Sequence, residues 1–250
     1  MAALTSVKLS VFRGDAGGGE MVTYPVPVRE GMVVLDAILW IQANLAPDLA
    51  VRWNCKAARC GSCSAEIDGF PRLMCKSPIA EYGETLSVRP MRAFPVVRDL
   101  VTDVSWNYEV NRRIPAFTPG EADASDPGPW RMAQADVDRV GEFRKCIECF
   151  LCQDVCHVLR DHDRKDAFYG PRSMIRIAGL EMHPKDSLDR RELLKGPAGL
   201  GLCNVTKCCT EVCPEHIQIT DNGIIPLKER MADAYFDPIR WAGRRLRRKR

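Results

Sequence analysis

The sequence predicts an α+β chain of two units, on three observations. The first hundred residues alternate apolar and polar in strand fashion around one helical pattern. The second half carries helical patterns and none of the strand kind. Between them, residues 115–130 gather Pro115, Pro119, Pro127, Pro129, Gly120 and Gly128 with the acids Glu121, Asp123 and Asp126, a composition that packs no core. The units are placed at residues 1–104 and 131–250, with 105–130 as the linker.

Within the first unit, Thr5, Val7, Leu9 and Val11 face one way and Ser6, Lys8 and Ser10 the other, a half-buried strand over 5–12. Val22, Tyr24, Val26 and Val28 repeat the alternation over 21–28. The glycine run Gly14 to Gly19 between them predicts a hairpin with a loop longer than two residues. Pro25 and Pro27 make the second strand an edge strand, because proline donates nothing to a ladder. Val34, Ile38, Ile41 and Leu45 share one face of a helix over 33–45. A second hairpin is expected over 64–75, turning at Asp68-Gly69, and a last strand over Thr85 to Val88. Two hairpins and a helix make a unit of β-grasp appearance. In the second unit, helices are expected over 131–145, 172–181, 187–195 and 224–236. Pro171 opens the second of these, and Asp186 is a candidate cap for the third.

The chain has 250 residues and twelve cysteines, with 46% hydrophobic and 28% charged residues. A chain of this size buries a core without a disulfide scaffold. Met1 to Lys8 lacks a charged start followed by an apolar run, and the most apolar stretch, Met32 to Ala46, is too short and too polar for a span. A reducing compartment is therefore expected, where clustered cysteines are metal ligands before they are disulfides. The net charge of +3 hides a basic end: Arg240, Arg244, Arg245, Arg247, Arg248, Lys249 and Arg250 lie beyond residue 238 with no acid among them, leaving the rest at −4. A mildly acidic body argues against nucleic acid as a partner. The basic end is suited either to anionic lipid headgroups or to plain solvation.

Cys55-Lys-Ala-Ala-Arg-Cys60-Gly-Ser-Cys63 is C-x4-C-x2-C, followed by Cys75. This is the plant-type [2Fe–2S] spacing, whereas zinc more often takes paired C-x2-C knuckles and only one pair is present. Gly61 lets backbone approach the inorganic sulfur. Arg52, Lys56, Arg59, Arg72 and Lys76 surround these thiols, and positive charge eases reduction of an anionic cluster.

Cys146-Ile-Glu-Cys149-Phe-Leu-Cys152-Gln-Asp-Val-Cys156 is the bacterial ferredoxin run C-x2-C-x2-C-x3-C, whose fourth cysteine serves the other cluster of a pair. Downstream, Cys203, Thr206, Cys209 and Cys213 fill the same four slots, with threonine in the second. Exchange of the fourth cysteines gives Cys146, Cys149, Cys152 and Cys213 as a [4Fe–4S] set. It leaves Cys156, Cys203 and Cys209 one ligand short, which suits [3Fe–4S]. Cys208 is left over, read first as a buried small hydrophobe and second as a ligand for a fourth iron. His157 and His216 lie near ligand cysteines, where they could tune a cluster or simply be polar surface. No nucleotide fingerprint appears: Gly17-Gly18-Gly19 lacks the spacing.

With these motifs in view, the chain resembles the iron–sulfur subunit of succinate dehydrogenase and fumarate reductase, respiratory complex II. The resemblance rests on Trp53-Asn-Cys55…Cys60-Gly-Ser-Cys63, on Pro71-Arg-Leu-Met-Cys75 with its short eleven-residue gap, on Val97-Arg-Asp-Leu-Val101, which is similar to the family's inter-domain segment, on Tyr169-Gly-Pro171 and on the altered second run. It implies a plant-type ferredoxin domain followed by a bacterial-ferredoxin-like helical domain. It implies an electron relay in a succinate:quinone oxidoreductase, with no substrate-oxidising site in this chain. A flavoprotein subunit carrying FAD would supply electrons to [2Fe–2S], then [4Fe–4S], then [3Fe–4S], and quinone would receive them at a membrane anchor subunit. The chain would then be peripheral, on the cytoplasmic face of a bacterial plasma membrane. The family's tryptophan after the cysteine at 156 is absent; His157-Val-Leu-Arg160 stands there, so His157 and Arg160 are the candidates for the quinone vicinity. The alternatives are the iron–sulfur subunit of a quinol:fumarate reductase or of another flavoprotein-linked oxidoreductase, and a free multi-cluster ferredoxin.

Overall fold

In the computed structural model, residues 6–120 and 131–238 are described. The end of the expected linker (121–130) and the basic end beyond residue 238 lie outside them.

Strands β1 (Ser6–Asp15) and β2 (Gly18–Pro27) pair antiparallel with Asp15 opposite Gly18. The turn is therefore Ala16-Gly17 alone, shorter than the glycine run suggested. Gly14 and Gly19 are themselves paired strand residues, and a Cβ on Gly14 would fall 2.3 Å from the Gly18 carbonyl oxygen. Glycine here permits close backbone approach inside the ladder instead of loosening it into a loop. β2 pairs with β1 only and is an edge, as its prolines require.

Helix α1 (Val34–Asn44) buries Val34, Leu35, Ala37, Ile38 and Ile41. Strands β3 (Ser64–Ile67) and β4 (Phe70–Leu73) turn at Asp68-Gly69, both at positive φ (+47° and +80°), the backbone of a type I′ hairpin. Strand β5 (Thr85–Arg89) lies parallel to β1 and antiparallel to β3. Residues 96–102, which include the segment similar to the family's inter-domain stretch, instead form two short strands, β6 (Val96–Arg98) and β7 (Val101–Thr102), that extend the first unit's sheet. Asp99 pins them. Its carboxylate, 2% exposed, accepts hydrogen bonds from the N–H groups of Gly14 (3.0 Å) and Ala50 (2.8 Å) and from Arg13 Nε (3.1 Å). The sheet runs β4-β3-β5-β1-β6-β7.

Residues 105–113, inside the range expected as linker, form helix α2 (Ser105–Arg113). Its Val110 and the following Ile114 are buried in the second core. Residues 115–120 are also held. The fully buried Arg190 donates to the carbonyls of Pro115 and Ala116, and Ser187 N–H donates to the Thr118 carbonyl. Proline and glycine mark this segment correctly as non-helical, but its carbonyls are fixed by a side chain 75 residues away, which composition does not reveal.

Helix α3 (Gln134–Gly141) runs on as a 3₁₀ turn to Lys145. Helices α4 (Leu151–Asp154) and α5 (His157–Arg160) lie in the cysteine run. Helix α6 (Gly170–Glu181) starts at Pro171 as expected. The helix expected over 187–195 forms only as α7 (Arg191–Lys195). Asp186 caps no helix; its carboxylate pairs with Arg190 at 2.8 Å, both side chains being buried. Helix α8 is Cys208–Glu211, and α9 (Ile225–Tyr235) follows a π-helical segment over Ile219–Ile224.

Two cores result, one around Leu9, Ile38, Ile67 and Val88, the other around Phe168, Met174, Ile177 and Leu227. Cys149, Phe150 and Leu151 belong to the first, while Cys152 and Cys156 belong to the second. The bacterial-type cysteine run is thus the seam between the units.

Candidate metal centres

The loop carrying Cys55, Cys60 and Cys63 winds through positive φ at Lys56, Ala58 and Gly61. Such backbone turns successive N–H groups inward and builds an anion-binding nest. The Cys55 sulfur accepts N–H bonds from Ala57 and Arg59, each at 3.3 Å. Burial opposes ionisation of the Cys60 thiol, but hydrogen bonds from the Cys55 and Ser62 segment bring it down to about 6. Burial pushes Cys63 up to about 12, with Cys75 and Cys60 adding to the rise. Cys60 lies near enough to Cys55, and Cys63 to Cys75, for each neighbour to act on its ionisation. Cys75 reaches them from a 3₁₀ turn directly after β4, so all four expected [2Fe–2S] residues come together.

Of the surrounding cations, Lys76 donates to the Pro214 carbonyl at 3.0 Å and Arg59 pairs with Glu215 at 3.6 Å. Both reach the segment that follows Cys213. The Arg59 pair, with its arginine largely exposed, adds little stability by itself. Its geometric consequence is that the first loop and the Cys213 segment face each other.

Cys146, Cys149, Cys152 and Cys213 line one cavity, together with Phe150, Ile175 and Arg172. Glu148 and Phe150 adopt positive φ (+55° and +61°) to wrap the chain around it. Burial drives the Cys149 thiol up to about 12 and Cys152 well above its ordinary value, and the neighbouring cysteines push in the same direction. Four thiolates in an apolar cradle are costly without a cation. Bound iron supplies that positive charge, so the donor set fits a four-iron group.

The run is fixed from within. Gln153, fully buried, donates to Asn107 of α2 (3.0 Å) and to the Tyr169 carbonyl (3.1 Å). Asp154, also fully buried, accepts from Ala93 N–H at 2.9 Å across the seam. Burial, then the proximity of Glu66, raises its carboxyl to about 7. Glu66 in turn is paired with Arg92 at 2.8 Å.

Cys156 is raised to about 11, by burial first and then by Cys208 and Cys203; Cys209 is raised to about 12, by burial first and then by Cys208, Cys203 and Cys156. Cys156, Cys203 and Cys209 therefore share one neighbourhood, a donor set fitting a three-iron group. Cys208 is half-buried, not buried. Its sulfur lies 3.3 Å from Thr206 Oγ1 and 3.7 Å from the Val155 carbonyl, which places it beside the same group. It stands at the start of α8, where adjacency does not force the two side chains to opposite sides.

His157 is half-buried, its ring 6.1 Å from that of His162. Arg160 is held by Asp161 at 3.0 Å and faces Glu66 and Asp154. The sequence reading missed Arg172, Gln153 and Asp154. For Arg172 a signal existed: it is a charge at the helical spacing of Ile175 and Gly179, the apolar side of α6.

Residues 8–109 match the family model of a 2Fe-2S iron-sulfur cluster binding domain, and residues 142–217 that of a 4Fe-4S dicluster domain. The fumarate reductase iron-sulfur subunit of Escherichia coli O6:H1 is 31% identical over 87% of this chain and 90% of its own length. The chain belongs to the iron–sulfur subunit family of fumarate reductase and succinate dehydrogenase. The succinate dehydrogenase iron-sulfur subunit of Bacillus subtilis is 31% identical over 79% of this chain and 81% of that protein. A chain of the Mycobacterium smegmatis Sdh1 complex in the apo form superposes with a TM-score of 0.90 at 60% identity, covering 95% of this chain and all of that one. The α+β order of a [2Fe–2S] unit before a helical dicluster unit is that of the family. No helix among the described residues is long and apolar enough to cross a membrane.

Proposed function

We propose that this chain carries electrons between a flavoprotein subunit and quinone in a succinate:quinone oxidoreductase. Cys55, Cys60, Cys63 and Cys75 would hold [2Fe–2S]. Cys146, Cys149, Cys152 and Cys213 would hold [4Fe–4S], and Cys156, Cys203 and Cys209 would hold [3Fe–4S]. When bound, these groups supply one-electron redox chemistry. The protein's part is to hold the three donor sets in sequence and keep them dry. FAD belongs to the partner flavoprotein, and a membrane anchor subunit would seat the chain at the cytoplasmic face of the membrane. His157, next to Cys156, is the better candidate for the quinone vicinity, because Arg160 is engaged by Asp161.

The observation that carries this reading is the contact between donor sets. Gly61, between Cys60 and Cys63, packs on Cys149, and Cys152 of the second set is four residues from Cys156 of the third. A relay needs such a chain of neighbours; a single-step carrier does not. The decisive experiment is purification of the native assembly from membranes, with subunit identification and redox-titrated EPR. A flavoprotein and an anchor should co-purify, three cluster signals should appear, and succinate should reduce quinone. Isolation as a lone soluble carrier would overturn the proposal, and activity confined to quinol-driven fumarate reduction would reverse its direction.

A further inference from the structure

Arg172 is the third residue of α6, and its side chain is 7% exposed. Its Nη1 donates to Asn111 Oδ1 of α2 at 2.9 Å, and its Nη2 pairs with Glu148, which lies between Cys146 and Cys149. Its Nε is buried with no hydrogen-bond partner. The same guanidinium lines the cavity of Cys146, Cys149, Cys152 and Cys213, where its charge acts on the Cys146 thiol. A buried donor left unsatisfied loses its solvation with nothing in return. The other walls of this cavity are mostly apolar, and the side-chain acceptors it offers are the four sulfurs and the Glu215 carboxylate, which pairs with Arg59.

We infer that Arg172 is a tuning residue for the four-iron group of this cavity, donating to its sulfurs and raising its reduction potential. The inference rests on the assignment of that group to Cys146, Cys149, Cys152 and Cys213. Reduction adds one negative charge to an already anionic cluster, and a fixed cation at its edge favours the reduced form. Burial lowers the pKa of Arg172 from the ordinary guanidinium value, while Cys146 acts in the opposite direction; an arginine remains charged even so. Glu148 holds the far side of the guanidinium, so its carboxylate offsets part of the field. Asn111 and Glu148 together fix the orientation that a mobile surface arginine would lack.

The test is EPR-monitored redox titration of the native complex carrying Arg172→Gln, Arg172→Lys or Glu148→Gln. In Arg172→Gln the four-iron group should become harder to reduce by about tenfold in its equilibrium constant, about 59 mV for one electron, with the other two groups unmoved. Arg172→Lys should recover part of the shift. Glu148→Gln should shift the same group the opposite way. Absence of a four-iron signal from the unmodified complex would sink the cluster assignment itself. A signal that is present but unmoved in Arg172→Gln, or moved equally in all three groups, would overturn the tuning role alone. Should Arg172→Gln fail to load the cluster, Glu148→Gln decides, and an unmoved potential there would overturn the role.

Discussion

Gly61 lies directly against Cys149: a Cβ built on Gly61 would fall 2.6 Å from the Cys149 Cα and 3.0 Å from its backbone nitrogen. The neighbouring Ser64 hydroxyl lies 2.8 Å from the Gly61 carbonyl and 2.9 Å from the Cys149 carbonyl, sharing its one proton between them. The loop of Cys55, Cys60 and Cys63 and the loop of Cys146, Cys149 and Cys152 thus meet backbone to backbone, at the seam between the two cores.

Gly61→Ala should separate these loops. Positive φ alone (+68°) costs an alanine about 1–2 kcal/mol, and backbone atoms cannot rotate out of the way as a side chain would. The expected outcome is a lower Tm of the complex and slower electron passage from the first cluster to the second, read by rapid-mixing EPR. Ser64→Ala should give the same changes in weaker form, about 1 kcal/mol for a lost buried hydrogen bond. An unchanged transfer rate in Gly61→Ala would mean that this contact is not on the electron path.

Asp99 governs the first unit by itself. Replacement by Ala leaves two half-buried amide donors without their acceptor and removes one of the two carboxylates that pair with Arg13, Asp48 being the other. A donor left unsatisfied costs about 1–3 kcal/mol where it is buried, and these two are half-buried, so the loss should lie toward the lower end of that range. Calorimetry should show an early transition for the first unit, with the second unit's clusters retained. A single unshifted transition would contradict the pinning role.

The third donor set makes a compositional prediction. On the proposed three-iron assignment, the oxidised protein should give a three-iron EPR signal, and Thr206→Cys should add one iron per chain and convert it, since the threonine slot lacks only a thiolate. Cys208→Ser should leave that signal unchanged. Its loss would make Cys208 a ligand, a live test because the structure places Cys208 beside Cys156 and Cys209.

Period and spacing exposed most of this in the sequence. Alternation in 7–11 and 22–28, Asp68-Gly69, and Pro171 at a helix start are local signals, and each element formed. The cysteine groups were legible for the same reason, because ligand spacing is written along the chain. What stayed hidden depends on distant partners. Gly14 and Gly19 read as loop until their pairing across the hairpin is known. The partners of Asp99 and Arg172 lie far along the chain, and only the folded structure assigns the two residues to a strand pair and a cavity. Asp186 is a candidate cap by its place before 187–195, but Arg190, four residues on, takes its carboxylate.

That last pair carries a final prediction. Arg190 and Asp186 form an ion pair with both side chains buried, and the same guanidinium donates to the carbonyls of Pro115, Ala116 and Leu188. Arg190→Met keeps the volume but leaves the Asp186 charge and three carbonyls without their donor. The cost should be about 3–5 kcal/mol, larger than for the double variant Arg190→Met with Asp186→Leu, which removes the stranded charge as well. Hydrogen exchange should locate the damage: the amides of Ser187 and Gly120, bonded to Thr118 and Lys185 carbonyls, should lose protection first. The cluster-bearing loops should keep theirs. Equal stability of the single and double variants would show that the ion pair is not what holds residues 115–120 to the helical unit.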